Sequence, residues 1–353
     1  MRTVEWDPQH HQVRLIDQRR LPGNFEVVAL DDYHQIAEAI RNMTVRGAPA
    51  IGATAAFGIA LAASRYPAGD LPGLKAELVR ADEVLRASRP TAVNLGWALD
   101  LMLNLAANTA GDDEMLRQSL VEEAQRIADE DVETNLSIAR YGAALIEDGD
   151  TIIHHCNTGS LATVDWGTAL GTIRMAHQMG KKVHVLVDET RPRLQGARLT
   201  AWELGQYGIP YESISDGAAG HLMRRGEVQK VFFGADRVAA NGDVANKIGS
   251  YMLALAAYNN GIPVYSVFPT STVDLTLPNG DLIPIEERDP EEVLDIQLAG
   301  ERVTPEGAKA RNPAFDVTPY YLISALVTEK GVIRPPYHLE LPRMMKAERI
   351  KGL

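Results

Sequence analysis

Cysteine is nearly absent: the 353 residues contain one, Cys156. That excludes an internal disulfide framework and fits a reducing, cytoplasmic setting. Strongly hydrophobic runs are scarce as well. The N-terminus, Met1-Arg-Thr-Val-Glu-Trp-Asp-Pro8, has no apolar run behind its charge, so a secretory signal is not expected. The most apolar early stretch, Gly47 to Ala63, is dominated by alanine and glycine and runs straight into Ser64-Arg-Tyr-Pro67. It reads as a packed core helix rather than a membrane span. A basic excess is also missing. Lysine and arginine number 35 against 47 acids, a net charge of −12. Acids spread along the whole chain argue against nucleic acid as the main partner. A small phosphorylated ligand stays open, because a few arginines, lysines and backbone amides suffice to hold one.

What is present is ordinary globular composition, 45% hydrophobic and 23% charged, in a chain long enough for two domains. The second half alternates strand-like and helical patterns. Apolar, β-branched runs fall at 151–155, 182–187, 210–214, 230–233 and 263–268, with helical spacing at 163–179, 193–207, 217–225 and 245–260. This predicts a Rossmann-like, mostly parallel α/β sheet with helices on both faces. The first half differs. Short alternating stretches at 3–6, 12–17 and 26–29 predict a small antiparallel sheet. Helical pattern follows from Tyr33 to Ala106, broken at Arg46-Gly47 and Arg89-Pro90, and a long acid-rich helix or helix pair spans 112–147. The expected division is an N-terminal sheet-plus-helical domain, 1–125, and a catalytic domain, 126–353, entered through that long helix.

Five segments carry residue types suited to chemistry. In Val45-Arg46-Gly47-Ala48-Pro49 a glycine precedes a proline-started helix, whose free amides attract anions beside Arg46. Ser88-Arg89-Pro90-Thr91 repeats the arginine–proline pairing. Thr151-Ile-Ile-His-His-Cys156-Asn-Thr-Gly159-Ser160 runs a buried strand into a small-residue turn, the place where open α/β sheets bind ligands. The plainer reading of Cys156 is a small buried hydrophobe. A metal at His154, His155 and Cys156 is disfavoured, since strand alternation puts His154 and Cys156 on one face and His155 on the other. No Gly-x-Gly-x-x-Gly fingerprint occurs there. Asp188-Glu-Thr-Arg191-Pro-Arg193-Leu-Gln195-Gly196 packs acids, arginines and a glutamine at another strand end. In Lys230-Val-Phe-Phe-Gly-Ala-Asp236-Arg, Asp236 is expected to close a strand. Asn246-Lys247 then falls near the start of the following helix, where amide dipole and lysine charge both favour an anion. Three of the five belong to strand ends of one sheet and can converge.

Together these segments resemble the methylthioribose-1-phosphate isomerases, from Val45-Arg-Gly-Ala-Pro-Ala-Ile-Gly52 to Asn312-Pro-Ala-Phe-Asp-Val-Thr-Pro319. That family belongs to a wider group with ribose-1,5-bisphosphate isomerases and the regulatory subunits of eukaryotic translation initiation factor two-B. The Gly-Ala-Asp-Arg and Asn-Lys-Ile-Gly elements are common to the wider group. The contexts of Cys156-Asn-Thr-Gly-Ser, Arg46-Gly-Ala-Pro and Arg89-Pro-Thr point to the isomerase. The resemblance implies a catalytic pair at Cys156 and Asp236, and substrate contacts from Arg46, Gly47, Ala48, Arg89, Gln195, Asn246 and Lys247. It further implies no metal or organic cofactor, a homodimer, and conversion of 5-methylthioribose 1-phosphate to 5-methylthioribulose 1-phosphate in methionine salvage. Ribose 1,5-bisphosphate and 5-deoxyribose 1-phosphate are the neighbouring substrates. A non-catalytic subunit binding a sugar phosphate or nucleotide is the alternative from another class.

Overall fold

A computed structural model describes residues 1–90 and 92–346. Thr91, the last residue of the Arg89-Pro90-Thr91 motif, lies outside the described residues. The chain forms two compact units, Met1–Asn135 with Thr158–Gly167, and Leu136–Asn157 with Thr168–Leu353.

The first unit opens with the expected antiparallel sheet, β1 (Val4–Asp7), β2 (Gln12–Ile16) and β3 (Val27–Leu30), in sequential order. Helices α1 (Tyr33–Arg41), α2 (Ala48–Arg65), α3 (Leu71–Ser88) and α4 (Val93–Asn108) follow. The breaks between them fall at Arg46-Gly47 and Arg89-Pro90, with a further one after Arg65. The 112–147 pattern resolves into a single helix, α5 (Asp113–Ala143). Helix α2 is apolar all round and packs on every side, with all of Ala50–Ala63 buried. Alanine and glycine make that possible: a Cβ on Gly58 would already press on Leu85 and Ile36 at 3.0 and 3.2 Å. Among the described residues α2 is the one helix long and apolar enough to cross a membrane, and 78% of that window is buried inside the protein.

The excursion Thr158–Gly167 is sewn into the first unit by hydrogen bonds. Thr3 Oγ1 donates to the Ser160 carbonyl at 2.6 Å, Gln18 Nε2 to the Leu161 carbonyl at 2.7 Å, and the Val164 amide to Asp131 Oδ2 at 2.7 Å. Asp131 keeps some residue surface but its carboxyl is shut away from water, and this desolvation, with Asp165 nearby, pushes it up to about 7. The sign follows directly. A buried acid raised above its unfolded value penalises the folded state once ionised. Its cost is therefore nil below about pH 4, grows between pH 4 and 7, and levels off above. Asp131→Asn, which keeps an acceptor for Val164, is expected to stabilise the protein by about 1–3 kcal/mol at pH 8 and by only about a quarter as much at pH 4.5. Urea unfolding at the two pH values checks this, and an equal effect at both would contradict it.

The second unit is built on a seven-stranded sheet. Its elements are β4 (Thr151–His154), α6 (Ala169–Gln178), β5 (His184–Asp188), α7 (Ala201–Tyr207), β6 (Tyr211–Ile214), α8 (Ala219–Arg224), β7 (Lys230–Phe233), β8 (Arg237–Ala239), β9 (Val244–Lys247), α9 (Ser250–Asn259) and β10 (Val264–Val267). Then come β11 (Val273–Asp274), α10 (Glu291–Leu294), the hairpin β12 (Gln297–Leu298) and β13 (Glu301–Arg302), β14 (Phe315–Thr318), β15 (Ala325–Thr328), β16 (Gly331–Ile333) and α11 (Tyr337–Lys346). The order across the sheet is β16-β15-β10-β7-β4-β5-β6, parallel throughout except for the β15–β16 hairpin.

Alternation along the strands creates two cores. Ile153, Leu186, Val231 and Phe233 pack with Met223, Leu253 and Leu341 on one face. Ile152, Val185, Val187 and Phe232 pack with Ile173, Leu204 and Ile138 on the other. This is the Rossmann-like, doubly covered sheet that the apolar runs imply. A second sheet, β11-β8-β9-β14, replaces the expected helix start at 245–249.

Candidate active site

The strand carrying Cys156 ends earlier than alternation predicts. Strand β4 stops at His154, and Cys156 turns into the left-handed region with φ +66°. His154 and Cys156 therefore do not share a strand face. Cys156 is 7% exposed. Its amide donates to Thr190 Oγ1 at 2.9 Å, and its carbonyl accepts from Thr200 Oγ1 at 2.7 Å. The next side chain, Asn157, donates to Thr200 Oγ1 at 3.2 Å and to the buried Glu203 Oε1 at 2.8 Å.

His155, buried beside them, ties three chain segments together. Its Nδ1 lies 2.9 Å from Asp188 Oδ2, at the end of β5, and its Nε2 lies 2.9 Å from the Ile248 carbonyl, just after β9. Burial alone favours the neutral ring, but the hydrogen bond to Asp188 outweighs it and raises His155, while burial raises Asp188 in turn. Neighbouring His154 is pushed down to about 3, first by burial and then by the charge on His155. Asp216 completes a group of three metal-ligand types, His155, Asp188 and Asp216, whose donor atoms lie within 4.8 Å of one another. Both His155 nitrogens are already engaged, so the group reads as an ion-pair hub.

Gln195 belongs to the same neighbourhood. It precedes Gly196, where an added Cβ would sit 1.7 Å from the Asp188 carbonyl oxygen and 3.0 Å from Thr190 Oγ1, so the backbone approach demands glycine. The Gln195 side chain is buried and its Oε1 has no hydrogen-bond partner among the described residues. Such an acceptor costs about 1–3 kcal/mol, which a ligand hydroxyl donating to it would recover. The arginines of this segment serve structure: Arg191 donates to the carbonyls of Pro192 and Val293, and Arg193 pairs with Glu292 at 2.8 Å.

Two expectations are corrected at β7–β9. Asp236 does not close β7, which ends at Phe233; it lies three residues on, at the entrance to β8, with its amide bonded to the Ala245 carbonyl at 2.9 Å. It is exposed, whereas Phe232 and Phe233 are fully buried in the sheet cores and give it no apolar enclosure. Asn246 and Lys247 lie in β9 and not at a helix start, because β9 pairs with β14, some seventy residues downstream. Helix α9 begins at Ser250, its first turn fixed by Asp316, which accepts from the Gly249 amide at 2.7 Å and the Tyr251 amide at 3.1 Å. Asn246 is buried and donates to Ser250 Oγ at 2.8 Å. Lys247 Nζ donates to the Ala314 carbonyl at 2.8 Å and lies 4.8 Å from the centre of the Phe315 ring. The Asp236–Ala245 and His155–Ile248 bonds tie the turns after β7 and β4 to the two ends of β9.

The remaining candidates belong to the first unit. Gly47 caps α2 with φ +91°, and a Cβ there would strike the Ala162 carbonyl at 2.2 Å. Arg46 and Ala48 flank it, half-buried, and Arg89 caps the C-terminus of α3, its carbonyl accepting from the Ala92 amide at 3.0 Å. The sequence singled out neither Thr200, Glu203, Asp216 nor Asp316. Thr200, Glu203 and Asp216 are ordinary polar residues in helical or loop stretches with nothing local to mark them, whereas Asp316 sits in strand β14, inside the quoted Asn312–Pro319 segment, and only its contact with the start of α9 shows its role.

Residues 44–335 match the Initiation factor 2 subunit family. A methylthioribose-1-phosphate isomerase of Thermotoga neapolitana is 52% identical over 344 residues, 98% of either chain, and that of Geobacter metallireducens is 51% identical over 98% of this chain and 99% of its own. Among solved structures, 5-methylthioribose 1-phosphate isomerase from Pyrococcus horikoshii OT3 superposes with a TM-score of 0.92 at 45% identity, over 98% of this chain and 96% of that one. The translation initiation factor eIF-2B subunit delta from A. fulgidus gives 0.90 at 42% identity, over 98% and 99%. With half its residues identical over nearly its full length, this chain belongs to the Initiation factor 2 subunit family and, within it, to the methylthioribose-1-phosphate isomerases.

Proposed function

We propose that this protein converts 5-methylthioribose 1-phosphate into 5-methylthioribulose 1-phosphate by acid–base catalysis, with Cys156 and Asp236 as the catalytic pair. The observation that carries the reading is a lone thiol turned out of a central strand end, in a chain half identical to enzymes of that name. The chemistry has one particular obstacle. Phosphate on O1 locks the sugar as a ring without a free aldehyde, so ring opening must come first. Asp236 would deliver a proton to the ring oxygen as the C1–O bond breaks. Cys156 would remove the C2 proton to leave the enol, then return a proton to C1 while the 2-hydroxyl proton leaves to solvent and the ketone forms. Each such group contributes about 10²–10⁴ in rate. These steps call on no metal or organic cofactor.

Within the second unit Asn246 and Lys247 would hold the phosphate, and a sugar hydroxyl would donate to Gln195 Oε1. Asp236 is exposed, so the desolvation that keeps a carboxyl protonated has to come from the bound sugar itself. The working form is proposed to be a homodimer, which sedimentation would read directly.

The test is a proton NMR time course with 5-methylthioribose 1-phosphate in D₂O. The ketose phosphate should appear, with deuterium at C1. Ketose formed without deuterium would replace proton transfer by a hydride shift from C2 to C1, with Cys156 deprotonating the 2-hydroxyl. No conversion of this substrate, against turnover of ribose 1,5-bisphosphate, would reassign the substrate; no conversion of either would leave the regulatory-subunit alternative.

A further inference from the structure

A residue with a Cβ in the left-handed region forfeits about 1–2 kcal/mol, and Cys156 has no glycine's freedom there. Something must hold it. The two hydroxyls on its peptide groups do so from opposite ends: Thr190 Oγ1 takes the Cys156 amide at 2.9 Å, and Thr200 Oγ1 gives its proton to the Cys156 carbonyl at 2.7 Å.

Both hydroxyls are themselves fixed. Thr190 donates its own proton to the Asp188 carbonyl at 2.9 Å, which leaves its lone pair turned to Cys156. Thr190 is also left-handed, φ +64°, a genuine outlier for a β-branched residue. Asp216 secures that turn, its Oδ1 accepting from the Thr190 amide at 2.7 Å and its Oδ2 from the Arg191 amide at 2.8 Å. Gly196 permits the close return of the chain over Asp188. Thr200 stands in the π-helical turn Gly196–Thr200 ahead of α7, and it accepts from Asn157 Nδ2, which also binds Glu203. Both threonines are fully buried, so water cannot substitute for either hydroxyl. Strained backbone at Cys156, Thr190 and Leu194 is concentrated in this one place, a pattern of sites where geometry matters more than local stability.

We propose that Thr190 and Thr200 are positioning residues for Cys156, clamping its peptide groups in the left-handed turn and so fixing the direction in which the thiol leaves the strand end. The kinetic consequence rests on the isomerase reading; the clamp on the thiol does not.

Because Cys156 is the only cysteine, alkylation by iodoacetamide reports on that thiol alone in the full-length protein. Thr190→Val and Thr200→Val remove each hydroxyl at nearly constant shape. Each is expected to lower kcat by about 10–100-fold with KM within about 3-fold, the range for losing a residue that orients a reacting group. Each is also expected to raise the alkylation rate of the buried thiol by about 10-fold or more, as for a group freed from a closed site. Thr190→Ser and Thr200→Ser should restore both quantities to within about 3-fold, because the hydroxyl is retained. A fall in kcat with unchanged alkylation, or faster alkylation with unchanged kcat, overturns the clamp. Should Thr190→Val fail to fold by its thermal transition, Thr200→Val and Thr190→Ala decide the matter alone. If the unmodified protein does not turn over the substrate, the isomerase reading falls while the alkylation rates still judge the clamp.

Discussion

Cys156→Ser is expected to lower kcat by about 10³–10⁴-fold while substrate affinity stays within several-fold, the upper range for removing a general base and acid. The substitution is a severe chemical test and a mild structural one. Serine is close in size, its Cβ meets the same φ of +66°, and both clamping bonds are made to the backbone, so they survive. What disappears is a group able to give up and regain a proton near neutrality, since a hydroxyl is far less acidic than a thiol. The competing account, a small buried apolar residue, predicts the opposite ranking. Serine would then cost about 1–3 kcal/mol of stability through a buried hydroxyl, with near-normal turnover once folded. Steady-state kinetics with calorimetric binding of the substrate separates the two, and turnover within 10-fold of the unmodified protein would remove the thiol from the mechanism.

The parallel sheet was legible in the sequence because its information is local. Apolar runs bounded by turn residues fall on β4, β5, β7 and β10, and a central parallel strand has little choice but to be apolar on both faces, whereas the run at β6 is a mostly exposed edge strand carrying Glu212 and Ser213. Alanine and glycine likewise gave away α2 as a buried helix. The misreadings share one cause. Val244-Ala-Asn-Lys247 looks like the first turn of α9, yet it is a strand because Phe315–Thr318 lies against it, and no local pattern contains that partner. The same holds for the site. Cys156 stood out as a thiol in a glycine turn, but its left-handed conformation comes from hydroxyls 34 and 44 residues away. Asp236 was recognisable as an acid at a strand end; the extra three residues and the exposure depend on β8 and β9 forming a second sheet. Periodicity records which face is buried. It does not record which distant segment supplies the bond.

Asp236→Asn is expected to reduce kcat/KM by about 10²–10⁴-fold, and for a reason different from the thiol's. The exposed side chain makes this substitution nearly neutral to the fold, within about 0.5 kcal/mol, and the bond from its amide to the Ala245 carbonyl is untouched. An amide is isosteric with a carboxyl but has no acidic proton to deliver to the ring oxygen. The roles of the two residues can then be separated by running only half of the reaction. When the ketose phosphate is supplied in D₂O, exchange of its C1 protons requires enolisation but neither opening nor closing of the ring. Asp236→Asn should retain that exchange to within about 10-fold while losing interconversion, because one general-acid step alone has been removed. Cys156→Ser should lose both. Loss of exchange in Asp236→Asn as well would move the carboxyl from ring opening to the enol step, and full activity in that variant would take it out of the chemistry altogether.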